Sequence, residues 1–549
     1  MSLSRHVNPD RIIAESREHA KKTNTTSVHD LLEREEPGCV PRTLLRETDD
    51  GTEPIPKYAF PAKGVSPEEA YSTVSTELSL DGNPTLNLAS FVHTSMNHYG
   101  QKIMIENMSK NLIDSDEYPA TTLLHSRCVS MLAKLWNADD QGEQACGTAT
   151  TGSSEAIMLG GLALKKRWQA KRKAQGKSIH EPGPNIVMGA NAQVALEKFA
   201  RYFDVEARMV PVDASTRYCM DPKRAIELVD ENTIGVFVIL GSTYTGSYES
   251  VEEMAALLDE YQEKTGIDVP VHVDGASGAL YCPFATPDLK WDFRIRRVVS
   301  INTSGHKWGK AYVGVGWVVF RDKEHLPKEL VFELHYLGSV EYSYSINFSR
   351  PAAPILAQYF NFLYLGFDGY RKISLHDAKN ARLLARALEK SKYYDVVSDI
   401  HKPKDLAERA KDSVGLVDDI DHYVPALPVV AFKFSSGFKD EFPRIKQSAI
   451  QHGLRQSNWI VPNYELPPNV QDEEVLRVVL RENFNEDMVE RLVIDIIEVT
   501  ESLMEEHKND VAQPGRRSAI NTGTAHKNPE RRAANHGEGT RPVGHDSVC

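Results

Sequence analysis

The chain has 549 residues, which suggests two or more domains, and its 41% hydrophobic and 26% charged content is ordinary for a globular protein. The formal net charge of −13 argues against a nucleic-acid binder, because phosphate binding needs a basic face. The sequence shows neither a signal segment, nor an apolar run of about 18 residues, nor a closely spaced cysteine pair. We therefore expect a cytoplasmic location, reduced thiols, and neither membrane nor nucleic acid as a partner.

The first 88 residues are polar and contain proline clusters such as "GTEPIPKYAFPAKG". Two stretches within them have helical character, "SVHDLLERE" and "PEEAYSTVSTELSL". We interpret residues 1–88 as an N-terminal arm that lacks a core of its own.

Residues 89–377 alternate helical runs with short apolar segments, and this alternation predicts a large α/β domain. The predicted strands are "NIVMG", "VEARMVPV", "IGVFVILGST", "VPVHVD", "RVVSINTS" and "VGVGWVVF". Helices between them include "VEEMAALLDEYQEKTG" and a segment that begins at Asp221 and Pro222. The order predicts a mostly parallel sheet with helices on both faces, and such sheets bind ligands beyond the carboxyl ends of their strands.

Residues 378–510 are predicted to form a smaller C-terminal α+β domain, in which the long helix "DAKNARLLARALEKSKYY" precedes strands and two further helices. Residues 511–549 contain hardly any large apolar side chain, so we predict a disordered tail. The spacing of its histidines, His526, His536 and His545, fits no compact metal site, and we expect no metal.

Two residues at predicted strand ends suggest a cofactor site. Asp274 ends the strand in "VHVDGAS", and Lys307 follows another strand of the same sheet in "SINTSGHKWG". Pyridoxal phosphate needs a lysine for a Schiff base and a carboxylate that keeps its pyridine nitrogen protonated, and these residues suit the two roles. By itself, Asp274 would equally be a turn residue before Gly275.

The phosphate of that cofactor would need hydroxyl and amide donors. The segment "TGSSEA" places Ser153 and Ser154 where a helix begins, and helix N-termini favour anions. Ser304 and His306, just before the lysine, would be further donors. A plain helix cap is the alternative interpretation of the two serines at 153 and 154.

Five motifs occur in order: "GTATTGSSEAIMLGG", "STYTGSYE", "HVDGASGAL", "SINTSGHKWG" and "YSINFSRPA". Together they resemble the glutamate decarboxylases, which are pyridoxal-phosphate decarboxylases with the aspartate aminotransferase-type fold, known as fold type I. The resemblance runs from about residue 55 to about residue 505. It implies an α/β fold with a mostly parallel central sheet and a smaller C-terminal α+β domain.

The resemblance also implies roles around the cofactor. Lys307 would be the Schiff-base lysine, and Asp274 would pair with the pyridine nitrogen. Ala276 and Gln193 would cover the two faces of the ring, and Thr243 would lie near the ring hydroxyl or the substrate carboxylate. The phosphate would be held by Ser153, Ser154, Ser304 and His306, with Ser349 reaching the phosphate of a neighbouring subunit.

Further matching positions concern the substrate. Ser90 and Phe91 in "NLASFVHT" would contact the distal carboxylate of glutamate, with serine where the family usually has threonine. Asn111 and Asp114 would come from the partner subunit, and Arg477 in "VLRVVLREN" would bind the α-carboxylate through its forked guanidinium. A surface charge on a strand is the alternative for Arg477.

The implied reaction is α-decarboxylation of L-glutamate to 4-aminobutanoate (GABA) and carbon dioxide. Tyr336, His306 or Lys307 would return the proton, although Tyr336 could also be a packing aromatic. The alternative is a related pyridoxal-phosphate decarboxylase or lyase acting on another amino acid. The resemblance further implies a homodimer or larger homo-oligomer with shared active sites, while the tail lacks the tryptophan and apolar period of a calmodulin target.

Overall fold

The computed structural model describes residues 58–138, 145–334, 341–405 and 419–512. The described residues between 83 and 508 form one compact unit, and the described residues 58–82 and 509–512 belong to a second unit. In the described part of the second unit, helix α1 spans Pro67–Leu78, where the sequence predicts a helix. The Ser66 side chain caps α1 by accepting a hydrogen bond from the Glu69 backbone N–H, and Pro67 suits the first turn.

A seven-stranded sheet, in the order β1-β7-β6-β5-β4-β2-β3, forms the centre of the large unit. Its strands are β1 (Gly147–Thr150), β2 (Asn185–Gly189), β3 (Glu206–Val210), β4 (Thr233–Ile239), β5 (Val271–Asp274), β6 (Val298–Ser304) and β7 (Gly316–Phe320). The pairs β3–β2, β2–β4, β4–β5 and β5–β6 are parallel, whereas β7 runs antiparallel to both β6 and β1. The predicted mostly parallel sheet is therefore confirmed.

Helices cover both faces of this sheet, as its apolar strands require. The helices of this part are α2 (His98–Glu106), α3 (Pro119–Leu135), α4 (Ser153–Ala174), α5 (Val194–Tyr202), α6 (Pro222–Ile226), α7 (Val251–Thr265), α8 (Cys282–Ala285) and α9 (Ala353–Ser391). On one face, α4 and α5 pack around Phe199 and Phe237. On the other face, α3, α7 and the start of α9 pack around Trp136 and Trp291.

A second, four-stranded sheet lies C-terminal to α9 and is antiparallel throughout, in the order β10-β11-β13-β12. Its strands are β10 (Tyr394–Val396), β11 (Val429–Phe434), β12 (Asn463–Glu465) and β13 (Glu474–Val479), and its helices are α10 (Ser436–Glu441), α11 (Ser448–Gln456) and α12 (Glu486–Ala512). A separate apolar cluster around Phe432 and Leu492 joins this sheet to its helices. Two short strands, β8 (Phe332–Leu334) and β9 (Glu341–Ser343), pair with each other.

The structure differs from the sequence prediction at two elements. Strand β1 was not predicted, because its four residues, "GTAT", form no apolar run. Helix α9 is 39 residues long, with a kink at Gly366, whose φ of 57° favours glycine. The proposed boundary between residues 377 and 378 falls inside α9, and the division into an arm, two domains and a tail stays a prediction. None of the described helices combines the length and apolarity needed to cross a bilayer.

Three histidines with lowered pKa values make the stability of the fold pH-dependent. Burial is the main cause that lowers the pKa of His125, His272 and His306 from 6.5 to about 4. Between pH 6.5 and 4 the unfolded chain therefore binds more protons than the folded chain, so stability is lost as the pH falls. Each such group contributes about 1.4 kcal/mol per pH unit. Glu249 opposes this trend, because burial raises its pKa to about 7 and favours the folded state at acid pH.

We expect the His125→Gln variant to show how much His125 contributes to the pH dependence of stability. The His125 Nε2 accepts a hydrogen bond from the Ala149 backbone N–H at 2.9 Å, and a glutamine oxygen can accept the same bond without titrating. The melting temperature of the variant should therefore fall less than that of the wild type between pH 6.5 and 4, as measured by calorimetry in the absence of ligands. Equal falls in the two proteins would contradict the assignment to His125.

Candidate active site

Asp274 ends β5 at the carboxyl edge of the large sheet, and its side chain is only 4% exposed. The carboxylate oxygen Oδ1 accepts hydrogen bonds from the Asn302 Nδ2 at 2.9 Å and from the Ala276 backbone N–H at 3.1 Å. Both bonds that the side chain of Asp274 accepts from described residues go to Oδ1. Its second oxygen, Oδ2, is therefore available to a protonated ring nitrogen.

Lys307 lies in the loop that follows β6, the strand next to β5. Its Nζ donates a hydrogen bond to the Ser277 Oγ at 3.1 Å, three residues beyond Asp274. A backbone hydrogen bond also joins the ends of β5 and β6, since the Ser304 N–H donates to the Ala276 carbonyl at 3.0 Å. The amine and the carboxylate that the sequence singled out thus lie at the same sheet edge.

The start of α4 lies beside this lysine. Its first residue, Ser153, donates its backbone N–H to the Ser304 Oγ at 3.3 Å, and Ser154 lies in the same first turn. A Cβ added at Gly152 would lie 3.1 Å from the His306 Cε1, so this histidine packs against the helix start. The N-terminal turn of α4 and the hydroxyls of Ser153 and Ser154 form a cradle of the type that binds phosphate.

His306 is buried beside the cradle, and its Nδ1 has no hydrogen-bond partner within the described residues. Burial, and then the charge of Lys307, lower the pKa of His306 to about 4. The imidazole is therefore neutral near pH 7. The Lys307 amine, the Oδ2 of Asp274 and the cradle are the groups that a bound pyridoxal phosphate would use, so the residues fit the cofactor.

Arg477 is a buried cation on β13, with a side chain only 2% exposed. Its Nη1 and Nη2 donate to the carbonyls of Thr243 and Ala89, each at 2.7 Å, while its Nε has no partner in the described residues. In that same part of the chain, no carboxylate forms an ion pair with it. A buried guanidinium without a counter-ion attracts an anionic ligand, and this contradicts the alternative of a surface charge.

The Phe91 ring is in contact with both Lys307 and Arg477. The Lys307 Nζ lies 5.2 Å from its centroid, and the Arg477 Cζ lies 4.9 Å from it. Trp308 holds the ring from a third side by an edge-to-face contact at 5.9 Å. Ser90, next to it, accepts a hydrogen bond from the Val92 backbone N–H at 3.0 Å. A small amino acid between Lys307 and Arg477 would therefore lie against Phe91.

Gln193 and Thr243 take part in local structure around this edge. The Gln193 Oε1 caps α5 by accepting from the Ala195 backbone N–H at 2.7 Å. Thr243 follows β4 and offers its carbonyl to Arg477, as described above. Neither contact excludes the predicted role at the ring, and for both residues that role stays a prediction.

Asn111, Asp114 and Ser349 form a second group. The Asn111 Nδ2 lies 3.3 Å from the Ser349 Oγ and 3.4 Å from the Asp114 Oδ1, and its Oδ1 accepts from the Arg350 backbone N–H at 3.0 Å. None of these hydrogen bonds reaches Lys307 or Asp274. The three residues expected to serve a neighbouring subunit are thus clustered with one another. Tyr336, the predicted mobile-loop tyrosine, lies outside the described residues.

Sequence reasoning missed Ser277, Asn302 and His272, which contact the site directly or through one neighbour. A signal was present, because polar residues alternate with apolar ones in "VHVD" and "VSINTS" although both strands are fully buried. Buried polar side chains require partners, so such an alternation indicates a polar network.

Comparison with known proteins agrees with this geometry. Residues 56–404 match the model of the pyridoxal-dependent decarboxylase conserved domain. Glutamate decarboxylase of Solanum lycopersicum is 46% identical over 82% of this chain and 84% of that protein, and the glutamate decarboxylase of Saccharomyces cerevisiae is 44% identical over 82% and 80%.

A solved structure, the glutamate decarboxylase of Lactobacillus brevis, superimposes with a TM-score of 0.75 at 37% identity and covers 83% of this chain and 97% of that one. The fold-type I assignment made from the sequence motifs is confirmed. By these matches, the chain belongs to the pyridoxal-dependent decarboxylase family.

Proposed function

We propose that this protein removes the α-carboxylate of L-glutamate as carbon dioxide and releases GABA, with pyridoxal phosphate as its cofactor. One observation supports this most strongly. The Phe91 ring is in contact with an amine, Lys307, and with a buried guanidinium, Arg477, that has no ion pair among the described residues. Lys307 shares its edge of the sheet with Asp274. Relatives named glutamate decarboxylase share 44–46% identity with most of the chain.

When bound, pyridoxal phosphate supplies an aldehyde that captures amines and a protonated ring that withdraws electrons from the bond being broken. In this proposal, Lys307 would hold the cofactor through its amine. Asp274 would keep the ring nitrogen protonated, and the α4 cradle would hold the phosphate. Ala276 and Gln193 are proposed to cover the faces of the ring.

In this proposal, Arg477 determines which bond to the Cα of glutamate is broken. Its guanidinium is held by the carbonyls of Thr243 and Ala89, so its orientation is fixed before substrate arrives. By gripping the α-carboxylate, this guanidinium would fix the orientation of the bond that joins the carboxylate to Cα. Ser90 and Phe91, with Asn111 and Asp114 of a second subunit, are proposed to receive the distal carboxylate.

The proton that returns to Cα has three proposed donors, Lys307, His306 and Tyr336. His306 is neutral near pH 7, because burial lowers its pKa to about 4, so it is a poor source of a proton from an imidazolium. Lys307 would be placed to return a proton, since its amine lies against Phe91, where the substrate is proposed to bind. We therefore favour Lys307 over His306, with Tyr336 as the competing candidate.

A substrate panel tests the function. Purified protein with added cofactor should release carbon dioxide and GABA from L-glutamate, and turnover of aspartate, tyrosine and cysteine sulfinate should be at least about 100-fold slower in kcat/KM. The reason is that a site built for a distal carboxylate leaves polar groups unpaired when another side chain enters. A higher kcat/KM for one of the other three would assign the protein to a related decarboxylase instead.

We also propose a homodimer or larger homo-oligomer in the cytosol, with each active site completed by a second subunit. The cluster of Asn111, Asp114 and Ser349 supports this, because its hydrogen bonds do not reach the lysine of its own chain. We also propose the division of the chain into an N-terminal arm (1–88), a large domain (89–377), a small domain (378–510) and a tail (511–549).

Mixing two inactive variants tests the shared site. Lys307→Ala and Asn111→Leu homo-oligomers should each be inactive or nearly so, whereas exchange of subunits gives hybrid dimers in which one site has both residues intact. Activity should then rise to about a quarter of the wild-type value at full exchange. If Asn111 serves its own chain, no hybrid site is intact and the mixture stays inactive.

A further inference from the structure

A row of polar side chains extends from Asp274 into the interior of the large sheet. On β5 and β6, the side chains of Ser300, His272, Asn302 and Asp274 are all buried and are joined in that order by hydrogen bonds. The distances are 2.7 Å from the Ser300 Oγ to the His272 Nδ1, 2.7 Å from the His272 Nε2 to the Asn302 Oδ1, and 2.9 Å from the Asn302 Nδ2 to the Asp274 Oδ1. We call these four residues the relay.

The direction of each hydrogen bond in the relay follows from its neighbour. The Asn302 Nδ2 donates to the Asp274 carboxylate, so the Asn302 Oδ1 must accept from the His272 Nε2–H. In a neutral His272 that is protonated at Nε2, the Nδ1 is an acceptor, and it accepts a hydrogen bond from the Ser300 hydroxyl. All three donors therefore point towards the carboxylate, and such aligned bonds strengthen one another in a buried environment.

The surroundings of His272 hold its ring in place. A Cβ added at Gly160 of α4 would lie 2.6 Å from the His272 Cε1, so only glycine leaves room for the imidazole. On another side, the Phe237 ring centroid lies 4.9 Å from that of His272. Burial lowers the pKa of His272 to about 4, which agrees with the neutral form that the hydrogen bonds require.

We propose that His272 and Asn302 are positioning residues that hold the Asp274 carboxylate as a fixed, ionised acceptor and so keep the ring nitrogen of the cofactor protonated. This inference rests on the proposed role of Asp274. Asn302 occupies the Oδ1 side of the carboxylate and leaves Oδ2 for the ring. The His272 imidazole fixes the amide of Asn302, because a flipped amide would place two N–H donors against each other.

A purely structural role would predict a different outcome. If the relay only fills the space beneath α4, its loss should lower the stability of the fold. It should then leave the protonation state of the ring nitrogen of a bound cofactor unchanged. The two roles therefore separate in a measurement on the cofactor ring itself.

The experiment is ¹⁵N NMR at pH 7 on protein loaded with pyridoxal phosphate labelled at the ring nitrogen, without substrate. In wild type, the chemical shift should be that of a protonated pyridine. In His272→Leu, the shift should move measurably towards that of the neutral ring, and kcat for glutamate should fall roughly tenfold with KM within about twofold. His272→Gln, whose amide can donate to Asn302, should restore most of both values.

A second test variant and a control variant are available if His272→Leu does not fold. Ser300→Ala deletes one hydroxyl at the far end of the relay, so a smaller shift in the same direction can reach the cofactor only through His272 and Asn302. Thr303→Val is the matched control, because Thr303 is equally buried on β6 and its Oγ1 has no hydrogen-bond partner in the described part of the chain. The control should leave the ring signal unchanged.

An unchanged ring signal in both His272→Leu and Ser300→Ala, with cofactor bound, would overturn the proposal, and so would an equal shift in Thr303→Val. A failure of the proposed function is distinguishable from either result. In that case the wild type itself would bind no cofactor, or would hold it with an unprotonated ring nitrogen.

Discussion

Replacing Lys307 by alanine should reduce glutamate decarboxylation at least about 1,000-fold. The variant loses the amine that holds the cofactor covalently and that lies against Phe91, 5.2 Å from the ring centroid. Its fold should persist, since Lys307 is only half-buried and Asp274 keeps both of its hydrogen bonds. Initial rates of carbon dioxide release under saturating glutamate and cofactor measure the effect.

Lys307→Arg is the control for charge. Arginine keeps a cation above the Phe91 ring but its guanidinium does not condense with an aldehyde, so this variant should be as inactive as Lys307→Ala. A melting temperature close to that of the wild type in both variants shows that the loss is chemical. Decarboxylation at undiminished speed in either variant would contradict the assigned role.

Replacing Arg477 by methionine should lower kcat/KM for glutamate about 30-fold or more. Removing one partner of a buried charge pair costs about 2 to 5 kcal/mol, and here the lost partner would be the only buried guanidinium in contact with Phe91 among the described residues. Methionine has a similar length but no donor for the α-carboxylate. Steady-state kinetics over a wide range of glutamate concentrations measures the loss.

Arg481→Met is the matched control for this change. Arg481 is also buried, follows β13 and donates to the backbone carbonyls of Val92 and Asn87, but among the described residues it forms no cation–π contact with the Phe91 ring. We expect the control to lower the melting temperature and to leave KM for glutamate within about twofold. Equal losses of kcat/KM in both variants would mean that Arg477 supports the fold and does not bind substrate.

The sequence predicts the part of the fold that local pattern determines. Strands β2 and β4 contain continuous apolar runs, which a sheet covered on both faces requires. Asp274 and Lys307 could be located because each lies at or just after the end of a predicted strand. Strand β1 has no such signal. It forms because its neighbour β7 pairs with all four of its residues.

The contacts that complete the site are long-range and could not be predicted. Nothing near Phe91 in the sequence indicates that Lys307 and Arg477, more than 200 residues away, approach the same ring. Likewise, the pairing of His272 with Asn302 depends on the register between β5 and β6, which a bulge shifts between Val271 and His272. Composition carries no information on that register.

The most direct test is to reduce the protein with borohydride, digest it and locate the pyridoxyl group by mass spectrometry. We predict the label on Lys307 in the peptide that contains "SGHKWG". A label on Lys310, three residues further along, or on any other lysine, would contradict the account, and so would a protein that takes up no label.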